Sequence, residues 1–295
     1  MVSNATSCSR RVVVVPNHGR LGNQIFQFAV CYALAKQNGL CLKANPTVCS
    51  AFSLGDADVQ CGASKRAARQ VRLKAPESWW GPEDARGARR AIAKNADARA
   101  DFQCSGHRQN ARIFANTSLP LAFAPAIAAR AEALRRSAAA NATAGAKIVA
   151  LYHRVATDSE AYRRCLPGAR FYARARAAFR AHFHPAPVHF IASRYQFRSR
   201  GAVDRLLGRD VATVDDAEPA VVLAALAGAD GATFSWGSFS WWVAFWARGP
   251  VFYDARLDDP VALDASGCGP LVRSAPSSDA AAFRREHLPA AWAPL

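Results

Sequence analysis

The segment VVVVPNHGRLGNQIFQFAVCYALAKQNGLCLKA, residues 12–44, carries the pattern of a strand, a loop, a helix and a second strand. Its four β-branched residues predict the first strand, and the turn-rich residues 16–22 predict the loop. Apolar residues then recur at helical spacing over residues 23–37, and Gly39 can end that helix before the strand pattern of residues 40–44. This order of elements predicts an α/β fold.

Strand and helix patterns also alternate through the second half of the chain. The strand patterns lie at residues 148–153, 188–192, 211–214, 232–236 and 250–253, and the helical patterns at residues 171–183, 201–207, 219–227 and 239–247. Such alternation predicts a parallel sheet with helices on its faces. A ligand is then expected beyond the carboxyl ends of the strands.

The chain is expected to form two halves, residues 1–145 and 146–295. The small and polar residues 138–145 are predicted to be the linker between them. Residues 50–146 contain Ala/Arg-rich helical stretches and a Pro-rich segment but little strand pattern. This middle region is therefore predicted to be helical and loop-rich.

The composition is that of an ordered globular protein. The 295 residues are 51% hydrophobic and 20% charged, so the chain can bury a sizeable core. The formal net charge of +16 would suit a polyanionic partner, an anionic membrane surface or a phosphorylated substrate, but Arg/Ala-rich runs are also typical of solvated helical surface. Because no zinc-finger spacing, aromatic ribonucleoprotein motif or basic region before heptads is present, no nucleic-acid partner is expected.

Cysteine usage favours disulfide bonds. The eight cysteines form an even set without a Cys-x-x-Cys pair, and buried thiols are the alternative, for Cys31 in particular. N-glycosylation triplets begin at Asn4, Asn116 and Asn141, and together with disulfides they are typical of an oxidising lumen. The sequence as written contains no 18-residue apolar run and no signal peptide, so any membrane anchor is expected upstream of it.

Three predicted strand ends could carry chemistry. In the loop that precedes Asn23, two glycines let the backbone approach a ligand, although a strand-to-helix turn with Asn23 as N-cap is the alternative. Arg154 follows the strand pattern of residues 148–153, where a guanidinium could bind a pyrophosphate. Gly237 and Ser238 open a predicted helix whose N-terminus could bind phosphate, and the tryptophans that follow fit a core at least as well as a sugar platform.

Two of these loops resemble a known family of glycosyltransferases. Residues 18–28, HGRLGNQIFQF, are similar to the signature GRLGNQMFQY of the α-1,2-fucosyltransferases, glycosyltransferase family 11. Residues 237–245, GSFSWWVAF, resemble the later segment GTFGWWAAY of that family. Residues 167–183 resemble the helix that follows its arginine motif, and the resemblance covers residues 11–45 and 147–254.

The chain departs from the family at its arginine motif. Where the family has HxRRGD, residues 152–158 read YHRVATD, so Arg154 matches the first arginine and Val155 replaces the second. The acid of the motif is absent or shifted to Asp158. The later acidic segment of the family is replaced by Ser-Arg-Tyr at residues 193–195.

The resemblance implies a GT-B-like fold with two Rossmann-like halves and a function as a galactoside 2-α-L-fucosyltransferase. It implies an inverting transfer of fucose from GDP-fucose to a hydroxyl of a galactose-containing glycan, without a metal or another cofactor. The second half would bind GDP-fucose, and the first would help to hold the acceptor.

The same resemblance assigns the donor-side roles. Arg154 and the backbone amides of Ser238 and Phe239 would stabilise the departing diphosphate, with Gly237 opening that helix. A fixed cation and helix-end amides suit this task because negative charge develops on the leaving group.

The loop of the first half would lie at the reaction centre. The resemblance places Asn23 and Gly22 near the anomeric carbon, and Arg20 either faces the nucleotide or only shapes the loop. Asp158 is the candidate general base through the shifted alignment. The histidines at 182, 184 and 189 do not make a metal set, because they lie between a helix and a strand and are separated by prolines.

Two rival functions remain open at this stage. Protein O-fucosyltransferases share a similar Gly-Arg-x-Gly-Asn-Gln loop, so another GDP-sugar transferase is one alternative. The substitution at Val155 motivates the other, a catalytically weak relative that binds glycan or nucleotide. The expected location of the transferase is the Golgi lumen, as a type II membrane protein whose anchor lies outside this sequence.

Overall fold

The structure is a computed structural model of the chain. It describes residues 11–14, 19–61, 70–73, 82–95, 101–104, 114, 116–153, 166–193, 200–235, 237–258 and 288–295. The chain divides into two compact units, Met1–Ala124 and Pro125–Leu295. Each unit contains a parallel sheet with helices, as the α/β prediction requires.

The first unit is built on a five-stranded parallel sheet of order β4-β2-β1-β6-β5. Its strands are β1 Arg11–Val14, β2 Cys41–Ala44, β3 Phe52–Leu54, β4 Val59–Cys61, β5 Gln70–Leu73, β6 Asp101–Cys104 and β7 Leu121–Phe123, and its helices are α1 Leu21–Gln37, α2 Pro46–Ala51 and α3 Pro82–Lys94. Strands β3 and β7 form a separate antiparallel pair. The predicted strand, loop, helix and strand at the start of the chain are confirmed as β1, α1 and β2.

Helix α1 is the central helix of this unit. It packs against β1, β2 and α2, and its side chains are buried over most of its length because apolar residues lie on nearly every face. It ends where Gly39 adopts a left-handed φ of 60° and Leu40 N–H donates to the carbonyl of Ala35 at 2.9 Å. The predicted role of Gly39 in ending the helix is confirmed.

The prediction that the middle of the chain is helical and loop-rich is wrong in part. Three strands of the first sheet, β4, β5 and β6, lie in this region, together with the β3–β7 pair. Each has only three or four residues, and polar residues such as Gln60 and Gln103 interrupt the apolar pattern. Pairing with neighbouring strands stabilises these segments, and that long-range contribution leaves no local pattern.

The second unit contains a six-stranded parallel sheet of order β10-β9-β8-β11-β12-β13. Its strands are β8 Lys147–Ala150, β9 Val188–Ser193, β10 Val211–Val214, β11 Gly231–Phe234, β12 Val251–Tyr253 and β13 Ala293–Pro294, and its helices are α4 Pro125–Ala138, α5 Ala169–Phe183, α6 Arg200–Leu206, α7 Pro219–Ala227 and α8 Ser238–Phe245. The predicted alternation of strands and helices is confirmed. The edge strand β13 is an addition that the sequence pattern does not reveal.

The division between the units falls after Ala124, whereas the sequence suggests a boundary after Gly145. The reason lies in helix α4, which packs against α7 and β10 of the second unit. Arg135 of α4 also donates hydrogen bonds to the carbonyls of Gly228 and Ala224, at 3.3 and 3.5 Å. The segment 138–145 therefore connects α4 to β8 within the second unit.

The core of the second unit lies between its sheet and its helices. Helix α7 is apolar on all sides and is buried from Ala220 to Ala227, because α4, α8 and the sheet surround it. On helices α5 and α8 large aromatic side chains enter the core, and Tyr172 and Phe179 of α5 and Trp242 of α8 are fully buried. None of the described helices is long and apolar enough to span a bilayer.

The disulfide prediction is confirmed for the first unit. Cys31 of α1 is bonded to Cys104 of β6, and Cys49 of α2 is bonded to Cys61 of β4. Cys41 is also disulfide-bonded, and no described cysteine is a free thiol. Cys31 is buried as the alternative interpretation expected, but as part of a disulfide.

Candidate functional site

The strand order of the second unit marks the place where a ligand can bind. The chain runs outward from β8 through β9 to β10 and then returns to the other side of β8 with β11. The segments that leave β8 and β11 therefore diverge, and a crevice opens beyond the carboxyl ends of these two strands. The described residues that follow the two strands, 152–153 and 237–239, meet at this edge of the sheet.

A buried hydrogen-bond network fixes the end of β8. The carbonyl of Tyr152 accepts hydrogen bonds from the hydroxyls of Tyr172, at 3.1 Å, and Ser235. The Tyr152 N–H donates to Oγ1 of Thr233 at 3.1 Å. The Ser235 N–H donates to Oγ of Ser240 at 2.8 Å, so the network ties β8 to α5, β11 and α8.

His153 belongs to the same network. Its Nδ1 lies 2.9 Å from the hydroxyl of Tyr172, and the ring stands edge-on to the Tyr172 ring with centroids 5.6 Å apart. Because the Tyr172 hydroxyl donates its one proton to the Tyr152 carbonyl, its oxygen accepts, and Nδ1 must carry the imidazole proton. In the neutral ring Nε2 is then the basic nitrogen. Burial lowers the pKa of His153 from 6.5 to about 4, so the ring is neutral at physiological pH.

The start of helix α8 is the second component of this edge. Gly237 is its N-cap, with φ 104° and ψ 151°, a conformation that essentially only glycine adopts. The ring of Phe239 stacks on that of Tyr152, with centroids 5.2 Å apart and planes inclined by 26°. The first-turn amides, Ser238 included, are thus held beside the end of β8, and the absence of acidic residues from this turn leaves the positive end of the helix dipole uncompensated.

The first unit has a comparable edge. Its strand order turns at β1, which lies between β2 and β6, and α1 begins beyond the carboxyl end of β1. Arg20 is the N-cap of α1 and makes no side-chain capping bond, and its carbonyl accepts from the N–H groups of Asn23 and Gln24 at 3.0 and 3.3 Å. The interpretation of Asn23 as the N-cap is therefore wrong, because Asn23 lies inside the first turn.

Close packing explains the glycine at position 19. A Cβ atom there would lie 2.8 Å from Cβ of Asn23 and 2.7 Å from its Nδ2, closer than side chains tolerate. The Gly19 carbonyl accepts a hydrogen bond from Nε2 of Gln24 at 2.9 Å. The loop is thus folded tightly onto the first turn of α1, and Gly22 in that turn is buried.

The predicted site residues fall into three groups. Gly237, Ser238 and Phe239 lie together at the carboxyl edge of the second sheet, and Arg20, Gly22 and Asn23 lie at the carboxyl edge of the first. The third group contains the other predicted residues. Of these, Arg154, Asp158 and the glycosylation acceptor Asn4 lie outside the described residues, and the acceptors Asn116 and Asn141 are exposed. Within the described ranges no three His, Cys, Asp or Glu side chains cluster as metal ligands would.

Sequence reasoning missed the network around the end of β8. In the sequence His153 is only one letter of the changed arginine motif, and neither it nor Tyr172 or Ser235 is predicted to have a role at the site. One signal was present, since His153 ends a predicted strand at an edge where ligands bind. Its partner Tyr172 lies 19 residues further along the chain, so the pairing itself leaves no local pattern.

Comparison with solved structures supports the fold assignment. POFUT1 in complex with GDP is similar to this chain with a TM-score of 0.55 and 13% identity, over 83% of this chain and 98% of POFUT1. The fucosyltransferase NodZ from Bradyrhizobium has a TM-score of 0.47 and 16% identity, over 79% of this chain and 91% of NodZ. NodZ α-1,6-fucosyltransferase soaked with GDP-fucose gives 0.48 and 16% over the same shares.

The sequence matches no protein-family model and no curated protein. At 13% identity the likeness to POFUT1 is one of fold. The chain accordingly has a GT-B-like α/β fold with two Rossmann-like units, each built on a parallel sheet.

Proposed function

We propose that this protein is a fucosyltransferase that transfers fucose from GDP-fucose to a hydroxyl of an acceptor sugar. The observation that carries the proposal is the position of the two fucosyltransferase-like segments. One begins α1 and the other begins α8, and each lies where the strand order of its sheet turns. POFUT1, which shares the fold, was solved in complex with GDP.

The chemistry requires stabilisation of a leaving diphosphate. The acceptor oxygen bonds to the anomeric carbon, the bond from that carbon to the β-phosphate oxygen breaks, and GDP departs with the electron pair. We assign the stabilisation of the negative charge that develops on GDP to Arg154 and to the backbone amides of Ser238 and Phe239. The support for these amides is their place at an uncompensated helix N-terminus, fixed against Tyr152 by the Phe239 ring.

The first unit is assigned to the acceptor side of the reaction. We assign Asn23 and Gly22 in the first turn of α1 to the anomeric carbon, and Arg20, the exposed N-cap residue, to the nucleotide. Asp158 is the candidate base that receives the proton of the attacking hydroxyl. We further propose a galactose-containing glycan as acceptor and attachment at its 2-hydroxyl, as in glycosyltransferase family 11, without a metal ion.

One observation favours a second candidate function, a relative that binds GDP without transferring fucose. The family histidine of the arginine motif is replaced by Tyr152, whose side chain is 3% exposed and packs against Phe239. That position is part of the core here, and His153 and Val155 flank the retained arginine. Binding of GDP without transfer or hydrolysis of GDP-fucose would select this function.

The test of the transferase is incubation of the purified chain with GDP-fucose and a glycan array. Fucose attached to a galactose-containing glycan at its 2-hydroxyl is expected, with linkage read by mass spectrometry of the product. Transfer to protein Ser or Thr instead would select a protein O-fucosyltransferase. No transfer to any acceptor would overturn the proposal.

The role of Arg154 gives a sharper prediction. Arg154→Ala is expected to lower the rate of transfer about 100-fold, because a charge-assisted donor to the leaving group is lost. Arg174→Ala is the matched control, since Arg174 is exposed on α5, and it should leave the rate unchanged. Equal rates for Arg154→Ala and the control would remove Arg154 from the site.

A further inference from the structure

Buried amide side chains of the first unit share an unusual property. Among the described residues of this unit, the buried side-chain polar atoms without a hydrogen-bond partner all belong to amides. They are Oε1 of Gln24, Oε1 and Nε2 of Gln27 and Nδ2 of Asn45, which we call the amide cluster. Gln27 is 0% exposed and Asn45 2%. Buried polar groups are paired in the great majority of cases, so each of these atoms calls for a polar partner.

The disulfide bond shows where Gln27 lies. Cys31 is bonded to Cys104, the last residue of β6, so this turn of α1 is level with the carboxyl edge of the sheet. Gln27 is on the same face of α1, one turn closer to the helix start than Cys31. Gln24 is on this face too, about one further turn towards the helix start. Helical side chains lean toward the N-terminus, so the Gln27 amide points past the strand ends.

This position is also the turning point of the first sheet. Strand β1 pairs with β2 on one side and with β6 on the other, and the segments that follow β1 and β6 diverge at the carboxyl edge. Ligands of open parallel sheets bind at such a point. The amide of Gln27 is thus directed toward the part of the unit where a ligand is expected.

Asn45 reaches the same edge from the neighbouring strand. It follows β2 directly and caps α2, with its Oδ1 accepting from the N–H of Val48 at 2.9 Å. Helix α1 packs against both β2 and α2, so Asn45 and the α1 amides lie along one edge. Capping uses Oδ1 and leaves Nδ2 as a buried donor.

The chemistry of the cluster selects the class of ligand. Its four atoms are two neutral acceptors and two neutral donors, without a cation among them. A phosphate or carboxylate presents acceptors alone and would leave the amide oxygens unpaired. Hydroxyl groups both donate and accept, and a buried amide that pairs with them discriminates strongly against ligands that lack them.

We propose that Gln24, Gln27 and Asn45 form a subsite for the hydroxyl groups of a neutral sugar within the first unit. Its role as the acceptor subsite rests on the proposed transferase function. The prediction that it binds sugar is independent of that function. The subsite is separate from the residues assigned to the diphosphate, so its loss changes acceptor affinity and leaves GDP affinity intact.

The experiment compares two variants with a control on the same helix. Gln27→Met keeps the length of the side chain and removes both polar atoms, and Asn45→Asp keeps the capping oxygen and replaces the unpaired donor by a charged carboxylate oxygen. Gln37→Met, at the exposed end of α1, is the control. Lactose, N-acetyllactosamine and chitobiose serve as sugar probes at millimolar concentration, with binding read by saturation-transfer NMR and GDP affinity by calorimetry.

The wild type is expected to bind at least one of the three sugars. Each variant should weaken that binding about tenfold, the value of one neutral hydrogen bond, while Gln37→Met binds normally and GDP affinity is the same in all four proteins. If the chain also transfers fucose, the KM for the acceptor should rise in the same ratio. If Gln27→Met does not fold, the sugar affinity of Asn45→Asp relative to that of Gln37→Met tests the subsite.

Three results would overturn the subsite. If the wild type binds none of the probes, or if both variants bind sugar as well as Gln37→Met does, the amides pair with internal water. If the variants lose GDP affinity together with sugar affinity, the amides belong to the donor site. Sugar binding without fucose transfer would overturn the proposed function and leave the subsite standing.

Discussion

At the scale of single residues, the end of β8 is organised by one backbone carbonyl. Tyr152 O accepts two hydroxyl protons, and this choice determines the tautomer of His153 through Tyr172. Enclosure of the ring then lowers its pKa to about 4. The residue that precedes the proposed catalytic arginine is therefore neutral, and it contributes hydrogen bonds instead of charge at physiological pH.

The lowered pKa of His153 predicts a pH dependence of folding. The unfolded chain protonates His153 near pH 6.5, and the folded chain does so only near pH 4, so stability falls as the pH falls through this window. The loss amounts to about 3 kcal/mol between pH 7 and pH 4. His153→Asn keeps a donor near the position of Nδ1 and removes the titration, so its free energy of unfolding should lack this component in urea titrations at several pH values.

His182→Asn is the matched control, because His182 is exposed on α5. Its stability should follow the wild-type pH curve. Parallel curves for the wild type and His153→Asn would show that the folded ring titrates normally and would contradict the lowered pKa of His153.

Residues whose role is local could be predicted from the sequence, and residues whose partner is remote could not. Gly237 was identified at a helix start because Gly-Ser before an apolar run favours a helix N-terminus whatever the fold. Asn23 was found in the correct loop but given the wrong place in it, since the helix begins two residues earlier at Leu21. The bonds of His153 and Ser235 depend on contacts across 19 and 83 residues.

At the scale of elements, two disulfides tie the helices of the first unit to its strands. The Cys31–Cys104 bond joins α1 to β6 across 73 residues, and the Cys49–Cys61 bond joins α2 to β4 across 12. A cross-link that closes a longer loop removes more entropy from the unfolded chain. The first bond is also the buried one, since both of its sulfur atoms belong to residues with 0% exposure.

The two bonds therefore predict unequal losses of stability. Replacement of Cys31 and Cys104 by Ala should lower the free energy of unfolding by about 4 kcal/mol, and replacement of Cys49 and Cys61 by about 3 kcal/mol. The cavity left by the buried pair adds to the first value. Urea unfolding of both double variants under oxidising conditions measures the difference, and an equal or reversed order would contradict the loop-closure account.

Elements with strong local periodicity were predicted well. Strand β10 and helix α7 were predicted with the boundaries observed, because a turn precedes each and the apolar pattern is uninterrupted. Strands β5 and β6 were missed, since β6 pairs with β1 and β5 on its two sides and those neighbours stabilise a four-residue segment with a polar pattern. Helix α4 was within reach of the pattern, but its membership in the second unit depends on packing against α7.

At the scale of the whole molecule, two Rossmann-like units each place a fucosyltransferase-like helix start at a turning point of the sheet. The fold class was predictable because alternation of strands and helices extends over the whole second unit. The proposed acceptor subsite was not, because the burial of its amide atoms without partners depends on packing that leaves no local pattern.

The proposed luminal location predicts modification of the chain. Disulfides in the first unit and exposed acceptors at Asn116 and Asn141 support passage through a secretory pathway, and we propose the Golgi lumen as the site of action. Expression in the secretory pathway of a eukaryotic cell should add glycans at both asparagines, detected as a mass decrease on treatment with peptide N-glycosidase. The Asn116→Gln and Asn141→Gln variants serve as controls, and a chain that gains no glycan would contradict the luminal location.

The Cys31–Cys104 bond also bears on how this protein can change in evolution. It fixes both ends of a 73-residue stretch at the carboxyl edge of the first sheet. Insertions and substitutions between these ends cost little closure entropy, because that cost grows only slowly with loop length. A lineage carrying this bond can therefore alter the segment that includes Asn45 while the Asn23 loop keeps its position. In the transferase that we propose, new acceptor preferences can then arise within this stretch while the donor reaction is kept.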